Sequence, residues 1–324
     1  MDVPGPFQFG IEIELLLGTR KKSQPTWKSL ARDVSKRLQK AGLANHVKDG
    51  SDKSAETYNE WSIVQEVTIP SQPGKNLWGI ELVSPIYPVY SYWAGDLNIL
   101  FSTLQSSYTL VPSPHCSTHI HLSGVPEALT AIELAGLAKA ALYFESALDC
   151  LVPPARRGSR AYWCQTLRAS SALLEEGVPR SLRDCLAIVD DAAAVAGSHG
   201  VVEAVNLFSA ASTYGQAHGM TADFVRGKVY KWNLAGMIAA DGLGTVEFRQ
   251  PLGCLAACDA VAWATLTLAF VASAVGELGL GLKGDDVGEE GGSVGELWEF
   301  LVAGARSLGW DGIDGVEQLF ARED

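Results

Sequence analysis

Three short segments, far apart in the chain, each place two ionisable side chains on either side of one apolar residue. They are Glu12-Ile13-Glu14, His119-Ile120-His121 and Glu247-Phe248-Arg249. Each lies in a run typical of a β-strand, where residues i and i+2 point to the same face, about 6.6 Å apart. The sequence therefore predicts three strands, each with a buried apolar face and an opposite face that carries acidic, imidazole or acid and guanidinium groups.

The residue types on these polar faces indicate more than contact with solvent. Carboxylates combined with imidazole suit a divalent cation, and an added arginine suits phosphate. For any one pair alone, a half-exposed strand is the better interpretation. Because all three pairs occur in one chain, we expect their polar faces to enclose one shared pocket that holds ions.

Composition and charge narrow the class of protein. The chain has 324 residues, 47% of them apolar, which is enough for one large domain or two smaller ones. A formal net charge of −12 argues against general nucleic-acid binding, which requires a basic surface. No apolar run reaches the roughly 20 residues of a membrane span, and the N-terminus lacks a signal region. Six cysteines without a CxxC pair indicate reduced thiols. We therefore expect a cytoplasmic protein with no membrane role.

Hydrophobic periodicity predicts strand hairpins separated by helical insertions. The predicted strands cover residues 9–17, 61–69, 77–84, 118–122, 230–238 and 244–249. The predicted helices cover residues 25–43, 92–108, 126–151, 160–175, 181–196, 221–227, 256–278 and 294–308. Residues 45–57 are polar and are predicted to form a loop. This order favours an α+β fold with an antiparallel sheet over a doubly wound fold.

The order of five segments resembles the putative amidoligase family of the carboxylate–amine ligase superfamily, which includes glutamine synthetase and glutamate–cysteine ligase. The segments are GIEIEL at 10–15, GIELVSPI at 79–86, THIHLS at 118–123, YKWNL at 230–234 and GTVEFR at 244–249. The resemblance covers roughly residues 7–255. It implies a curved antiparallel sheet that holds ATP and divalent metal ions in a funnel, with helices packed outside.

The resemblance and the composition of the C-terminal part together indicate a domain organisation. An amidoligase-like catalytic domain would cover residues 1–278. An acidic, glycine-rich loop would follow at 279–295, and a C-terminal helical segment at 296–324 would pack on the same domain.

Carried over residue by residue, the resemblance implies a set of site residues. The metal ligands would be Glu12, Glu14, Glu81, His119 and Glu247. Glu247 and Arg249 would also hold the nucleotide phosphates. Two positions depart from the family pattern: Ser117 stands in place of a glycine, and Glu66 begins a segment where Asp-Gly-Ser is expected. Glu66 is then a candidate to accept the proton of an amine, with Glu60 as the alternative.

Other residues have competing interpretations. Trp232 could stack on adenine, although packing in the core is the better interpretation. Arg156, Arg157 and Arg160 could close over a phosphate or a substrate carboxylate, but a solvated turn is the better expectation. His46 is expected to be a plain surface residue.

The resemblance implies a ligase that depends on ATP and Mg²⁺. Such an enzyme activates a carboxylate as an acyl phosphate, and an amine then displaces the phosphate. His119 suits Mn²⁺ better than Mg²⁺, so Mn²⁺ is a further cofactor candidate. The substrates would be a small carboxylate and an amine, and relatives often form homo-oligomers. Two alternatives stay open: a guanidino kinase of the same superfamily, and a metal-dependent hydrolase that uses His119, His121 and a glutamate.

Overall fold

The computed structural model describes residues 5–20, 23–48, 58–206, 227–239, 244–313 and 315–321. The chain divides into two compact units. The first unit is Met1–Ile120 with Pro251–Ala264, and the second is His121–Gln250 with Thr265–Asp324.

Strands and helices are numbered along the described residues. The strands are β1 (Phe7–Thr19), β2 (Asn45–Val47), β3 (Trp61–Gln65), β4 (Trp78–Val83), β5 (Tyr87–Pro88), β6 (Tyr108–Val111), β7 (Thr118–Gly124), β8 (Leu174–Glu175), β9 (Val178–Pro179), β10 (Trp232–Asn233) and β11 (Val246–Phe248). The helices are α1 (Trp27–Lys40), α2 (Trp93–Ser107), α3 (Ala131–Tyr143), α4 (Glu145–Asp149), α5 (Leu182–Asn206), α6 (Ala257–Val275), α7 (Glu277–Leu280), α8 (Val294–Ser307) and α9 (Glu317–Phe320).

The sheet of the first unit has the order β2-β3-β4-β1, and β5 and β6 also pair with β1. These pairings are antiparallel, except that β2 runs parallel to β3. In the second unit β10 pairs antiparallel with β11. β11 neighbours β7, whose residues from His121 onward belong to this unit. The prediction of an α+β fold with a mostly antiparallel sheet is therefore confirmed.

Alternation along the strands gives the sheet of the first unit one apolar face and one polar face. Ile13, Leu82 and Ile63 stand opposite one another in the strand register, and each is fully buried. Helix α1 packs on β3 and β4. Its buried side chains are Leu30, Ala31, Val34, Ser35 and Leu38. The glutamates of β1 and β4 occupy the alternate positions, so they point away from this core.

Strand β2 corrects the prediction that residues 45–57 form a loop throughout. Asn45, His46 and Val47 pair with the first three residues of β3. The side chain of Asn45 is 3% exposed, and its amide donates to the carbonyls of Ser35 and Leu43. A buried asparagine whose amide N–H groups are paired can therefore begin a strand in a segment whose composition is typical of a loop.

The helix predicted to start at Pro126 starts at Ala131 instead. Thr130 caps it: the hydroxyl of Thr130 accepts from the backbone N–H of Glu133, and the Glu133 carboxylate accepts from the backbone N–H of Thr130. This reciprocal capping box satisfies N–H groups that have no partner inside the helix. The helix also stops earlier than predicted, at Tyr143, and the short helix α4 follows.

The prediction of a helix over residues 160–175 is wrong. The segment contains two 3₁₀ turns, Leu167–Ala169 and Ser171–Leu173, and leads into the β8–β9 hairpin. The Glu145 carboxylate accepts from the backbone N–H of Leu167, and the Thr166 hydroxyl accepts from that of Arg168. Side chains thus satisfy backbone groups that a helix would otherwise pair.

The remaining predicted elements are confirmed with shifted ends, apart from the strand predicted at 230–238 and those that fall on undescribed residues. Within 230–238 the strand covers only Trp232–Asn233, and a 3₁₀ turn follows at Ala235–Met237. Helix α5 continues beyond the predicted end at residue 196, through a kink at Gly197, where φ is +59°. The helix predicted at 221–227 lies almost wholly outside the described residues. Residues 279–295 contain the end of α7 and a 3₁₀ turn at Gly284–Asp286. The division into a catalytic domain, a loop and a C-terminal segment stays a prediction.

Among the described residues, two helices are long and apolar enough to cross a membrane, judged by length and composition. They are α5, with 33% of its most apolar window buried in the protein, and α6, with 78% buried. By this test, the expectation that no apolar run is long enough for a membrane span is wrong. The expectation of no membrane role stays a prediction.

Candidate functional site

The register of β1 and β4 places acidic side chains directly opposite each other on the polar face of the first unit. Glu14 pairs with Glu81, and Glu12 pairs with Val83. Side chains of directly opposed residues are neighbours on one face, so the carboxylates of Glu14 and Glu81 share one location. The two-residue spacing puts Glu12 beside them on the same face.

A reciprocal contact joins Glu14 to the start of β7. The backbone N–H of Ser117 donates to Oε2 of Glu14 at 2.6 Å, and the backbone N–H of Glu14 donates to the carbonyl of Ser117 at 3.0 Å. The contact uses only the backbone of Ser117, so the change from the glycine of the family pattern leaves it in place. It also fixes His119, two residues further along, on the polar side of β1.

Glu14, Glu81 and His119 form a cluster with the properties of a cation site. One ligand atom from each lies within 4.8 Å of the other two. Glu14 is 7% exposed and His119 is 4% exposed. The Nδ1 atom of His119 lies 3.2 Å from Oε2 of Glu12. Neighbouring buried carboxylates repel each other unless a positive charge offsets them, so the donor set fits a divalent cation.

A nearby cysteine does not extend this donor set. Burial, and then the charge of Glu14, raise the pKa of the Cys116 thiol to about 12. The Cys116 side chain packs with Leu16 and Ile69 in a buried apolar group, outside the donor set. All six cysteines of the chain are free thiols, as predicted. The cluster therefore offers oxygen and imidazole ligands, a set that favours Mg²⁺ or Mn²⁺ over thiolate-bound zinc.

In the second unit, Glu247 is a buried carboxylate with several partners. Its side chain accepts a hydrogen bond from Nδ2 of Asn233 at 2.8 Å and forms an ion pair with Arg249. Nε2 of His121 lies 3.5 Å from Oε1 of Glu247. The Arg249 side chain is 11% exposed. Glu247 therefore orients the guanidinium that was predicted to bind phosphate.

Arg156 has neither of the roles predicted for it, because it is buried and holds the backbone around Arg249. It is 4% exposed. Its guanidinium donates to the carbonyl of Arg249 at 3.2 Å and to that of Gln250 at 3.1 Å. The backbone N–H of Arg249 donates in turn to the carbonyl of Lys231 at 2.8 Å. Both backbone groups of Arg249 are thus fixed inside the second unit.

A buried ion network, which sequence reasoning missed, supports this arrangement. Lys231 is 2% exposed, and its ammonium lies 2.6 Å from Asp149 and 3.5 Å from Glu145. The amide of Gln250 donates to the same Asp149 oxygen at 2.6 Å. The signal was a lysine between the two aromatic residues Tyr230 and Trp232, because a buried ammonium requires an acidic partner.

Two predicted site residues lie in surroundings that argue against their predicted roles. Trp232 is 1% exposed, and its ring packs against Phe248 and Phe270 at centroid distances of 4.5 and 5.2 Å. This placement favours the core interpretation over stacking on adenine. Glu66 lies in the turn after β3, where its carboxylate accepts from the backbone N–H of Thr68 at 2.6 Å. Glu66 therefore caps its own turn.

The first unit thus holds Glu12, Glu14, Glu81 and His119 together, and the second unit holds His121, Glu247 and Arg249 together. That all three polar faces enclose one pocket stays a prediction. A comparison with curated proteins finds no match. A family model described as putative amidoligase enzyme matches residues 6–271, which include all the segments that carry the resemblance. The chain therefore belongs to the putative amidoligase family.

Proposed function

We propose that the chain is an ATP-dependent carboxylate–amine ligase that forms an amide or isopeptide bond through an acyl phosphate. Membership of a family of amidoligase enzymes supports a ligase-type activity. The observation that carries the proposal further is the cluster of Glu14, Glu81 and His119, in which Glu14 and His119 are buried and Glu81 is half-buried. Phosphoryl transfer from ATP requires neutralised and positioned phosphates, and a divalent cation is the usual device.

Glu14, Glu81 and His119 would hold the metal ion, with Glu12 beside His119. When bound, Mg²⁺ or Mn²⁺ supplies positive charge to the phosphate oxygens. The imidazole makes Mn²⁺ a suitable substitute for Mg²⁺. Glu247 remains our candidate for a further metal ligand. We also propose that the sheet is of the glutamine synthetase type, forming a funnel for ATP and metal.

Arg249 would bind a phosphate group of the nucleotide. A guanidinium keeps its charge at any working pH and matches the geometry of two phosphate oxygens. Glu247 and the backbone contacts of Arg156 fix its direction before the nucleotide arrives. Preorganised charge of this kind favours the transition state, because little reorganisation is left for the reaction itself.

The proposed reaction has two steps. A carboxylate oxygen of the acid attacks the γ-phosphorus of ATP, and the bond to ADP breaks. The amine nitrogen then attacks the carbonyl carbon of the acyl phosphate, and inorganic phosphate leaves with the electron pair of the broken C–O bond. We propose an amino acid or small peptide as substrate, a cytoplasmic location and a homo-oligomeric assembly, as the resemblance implies.

A single assay separates this proposal from its alternatives. The protein is incubated with ATP, Mg²⁺ or Mn²⁺ and pools of carboxylates and amines, and phosphate release and product masses are measured. We expect phosphate release only when acid and amine are both present, with a product one water lighter than their sum. A phosphorylated acceptor without an amide would indicate a guanidino kinase. Substrate hydrolysis that does not need ATP would indicate a hydrolase.

A further inference from the structure

A second group of ionisable side chains lies at the edge of the same polar face. His46 in β2 stands directly opposite Ser62 in β3. Nδ1 of His46 lies 2.9 Å from Oε1 of Glu60, and Nε2 lies 3.1 Å from Oγ of Ser62. The imidazole is therefore held at both nitrogens, by a carboxylate on one side and a hydroxyl on the other.

The two contacts determine which nitrogen of His46 can accept a proton. An ionised carboxylate can only accept a hydrogen bond, so Nδ1 of a neutral His46 donates its N–H to Glu60. Nε2 then carries the lone pair and accepts the hydrogen of the Ser62 hydroxyl. A base that is oriented through its other nitrogen is the arrangement used for general-base catalysis by histidine.

The strand register places His46 on the face that carries the Glu14, Glu81 and His119 side chains. Ser62 pairs with Val83, which pairs with Glu12, and Val64 pairs with Glu81. Neighbouring strands are about 4.8 Å apart, and His46 and Glu81 are two strands and two residues apart. Their Cα atoms are therefore separated by roughly 10 to 12 Å. The half-buried side chains of Val64 and Val83 lie between them. A small amine beside an activated carboxylate has about the length of this span.

We propose that His46 is the base that takes a proton from the amine substrate, which lies over Val64 and Val83. This inference rests on the proposed ligase function and names the amine subsite of that reaction. A base of this kind is needed because an ammonium nitrogen has no lone pair with which to attack a carbonyl. Of the two glutamates considered from sequence, Glu66 caps a turn and Glu60 orients His46.

The exposure of the two side chains favours His46 as a base over Ser62 as a nucleophile. The His46 side chain is 36% exposed, whereas Ser62 is 1% exposed. A nucleophilic serine would need space for a tetrahedral carbon at its oxygen, and the buried hydroxyl lacks that space. The ammonium instead approaches Nε2 over the exposed part of the imidazole, and the Ser62 hydroxyl gives up its hydrogen bond to that nitrogen. Ser62 is therefore a positioning residue, which holds the ring until the amine arrives.

The nitrogen of the ammonium loses two protons as the amide forms. One proton passes from the ammonium to Nε2, and the resulting imidazolium is stabilised by the Glu60 carboxylate. The freed lone pair forms the C–N bond, and the C–O bond to phosphate breaks. The second proton lost by the nitrogen leaves with the phosphate.

The test compares His46→Gln with the parent protein, using two nucleophiles. A primary amine is protonated at neutral pH and needs the base, whereas hydroxylamine is already unprotonated and does not. With the amine, kcat is expected to fall about 100-fold or more, the usual size of a general-base contribution. With hydroxylamine, hydroxamate formation is expected to stay within about twofold of the parent rate, because the acyl phosphate still forms.

Ser84→Ala is the matched control. Ser84 is a buried serine of the same unit, and within the part of the chain that the structure describes its hydroxyl bonds to the backbone of Ile11 and Pro85. Its loss is expected to affect both nucleophiles alike. If His46→Gln lowered both rates equally, or lowered neither, the base assignment would be wrong. If the parent protein formed neither amide nor hydroxamate with any acid, the ligase function itself would fail and the inference with it.

Discussion

Glu81→Gln is expected to abolish ATP-coupled turnover and to weaken Mn²⁺ binding, while the fold is kept. The amide has almost the same shape as the carboxylate but lacks the charge that a divalent cation requires. Glu81 is half-buried and stands opposite Glu14 in the register. Losing the cation's contribution of several kcal/mol to the transition state predicts a drop in kcat/KM of about a thousandfold.

Glu81 is the better choice for this test than Glu14. The Glu14 carboxylate accepts the backbone N–H of Ser117, so its replacement would also loosen the start of β7. Steady-state kinetics and Mn²⁺ titration followed by electron paramagnetic resonance give the two readouts. Glu299→Gln, at an exposed position on α8, is the control and should behave like the parent. Near-normal turnover or Mn²⁺ affinity in Glu81→Gln would remove the basis for the cation site.

Arg249→Lys is expected to raise the dissociation constant for ATP by about 10- to 150-fold, because an ammonium cannot bind two phosphate oxygens in the fixed geometry of a guanidinium. This range corresponds to ~1.5–3 kcal/mol, the usual value of a hydrogen bond to a charged group. Lysine keeps a positive charge beside the buried Glu247, so the unfolding midpoint should change little. Isothermal titration with ATP measures the first quantity and thermal unfolding measures the second.

Arg249→Ala separates the role in binding from the role in stability. The variant leaves Glu247 buried with Asn233 and His121 but without its guanidinium partner. Breaking a buried pair in this way costs about 3–5 kcal/mol, so a clear fall in the unfolding midpoint is expected in addition to lost turnover. Arg306→Lys, at an exposed position, is the control. Unchanged ATP affinity in Arg249→Lys would contradict the phosphate-binding role.

Period-two alternation made the polar face of the first unit predictable from sequence. In the segment around Ile13, the apolar residues had to face a core, so Glu12 and Glu14 had to face away from it. The partner of Glu14 was harder to predict. That Glu81 stands directly opposite depends on the β1–β4 register, and the family resemblance, rather than the pattern, brought Glu81 into the predicted site.

The features that were missed depend on contacts that leave little local signal. His46 lies in a polar segment, and only its pairing with Ser62 and Glu60, which are distant in sequence, gives it a defined position. Arg156 and Lys231 were not recognised as buried, because charged residues are rarely buried unless they have partners. Their partners come from other segments of the second unit, so periodicity could not reveal them.

The central claim is that Glu14, Glu81 and His119 hold a divalent cation. The most direct measurement is a crystal structure of the protein grown with Mn²⁺ and ATP, with anomalous scattering recorded to locate manganese. We expect an anomalous peak about 2.0–2.3 Å from a carboxylate oxygen of Glu14, an oxygen of Glu81 and a nitrogen of His119. A fully occupied peak elsewhere, with these three side chains making no contact to it, would contradict the account.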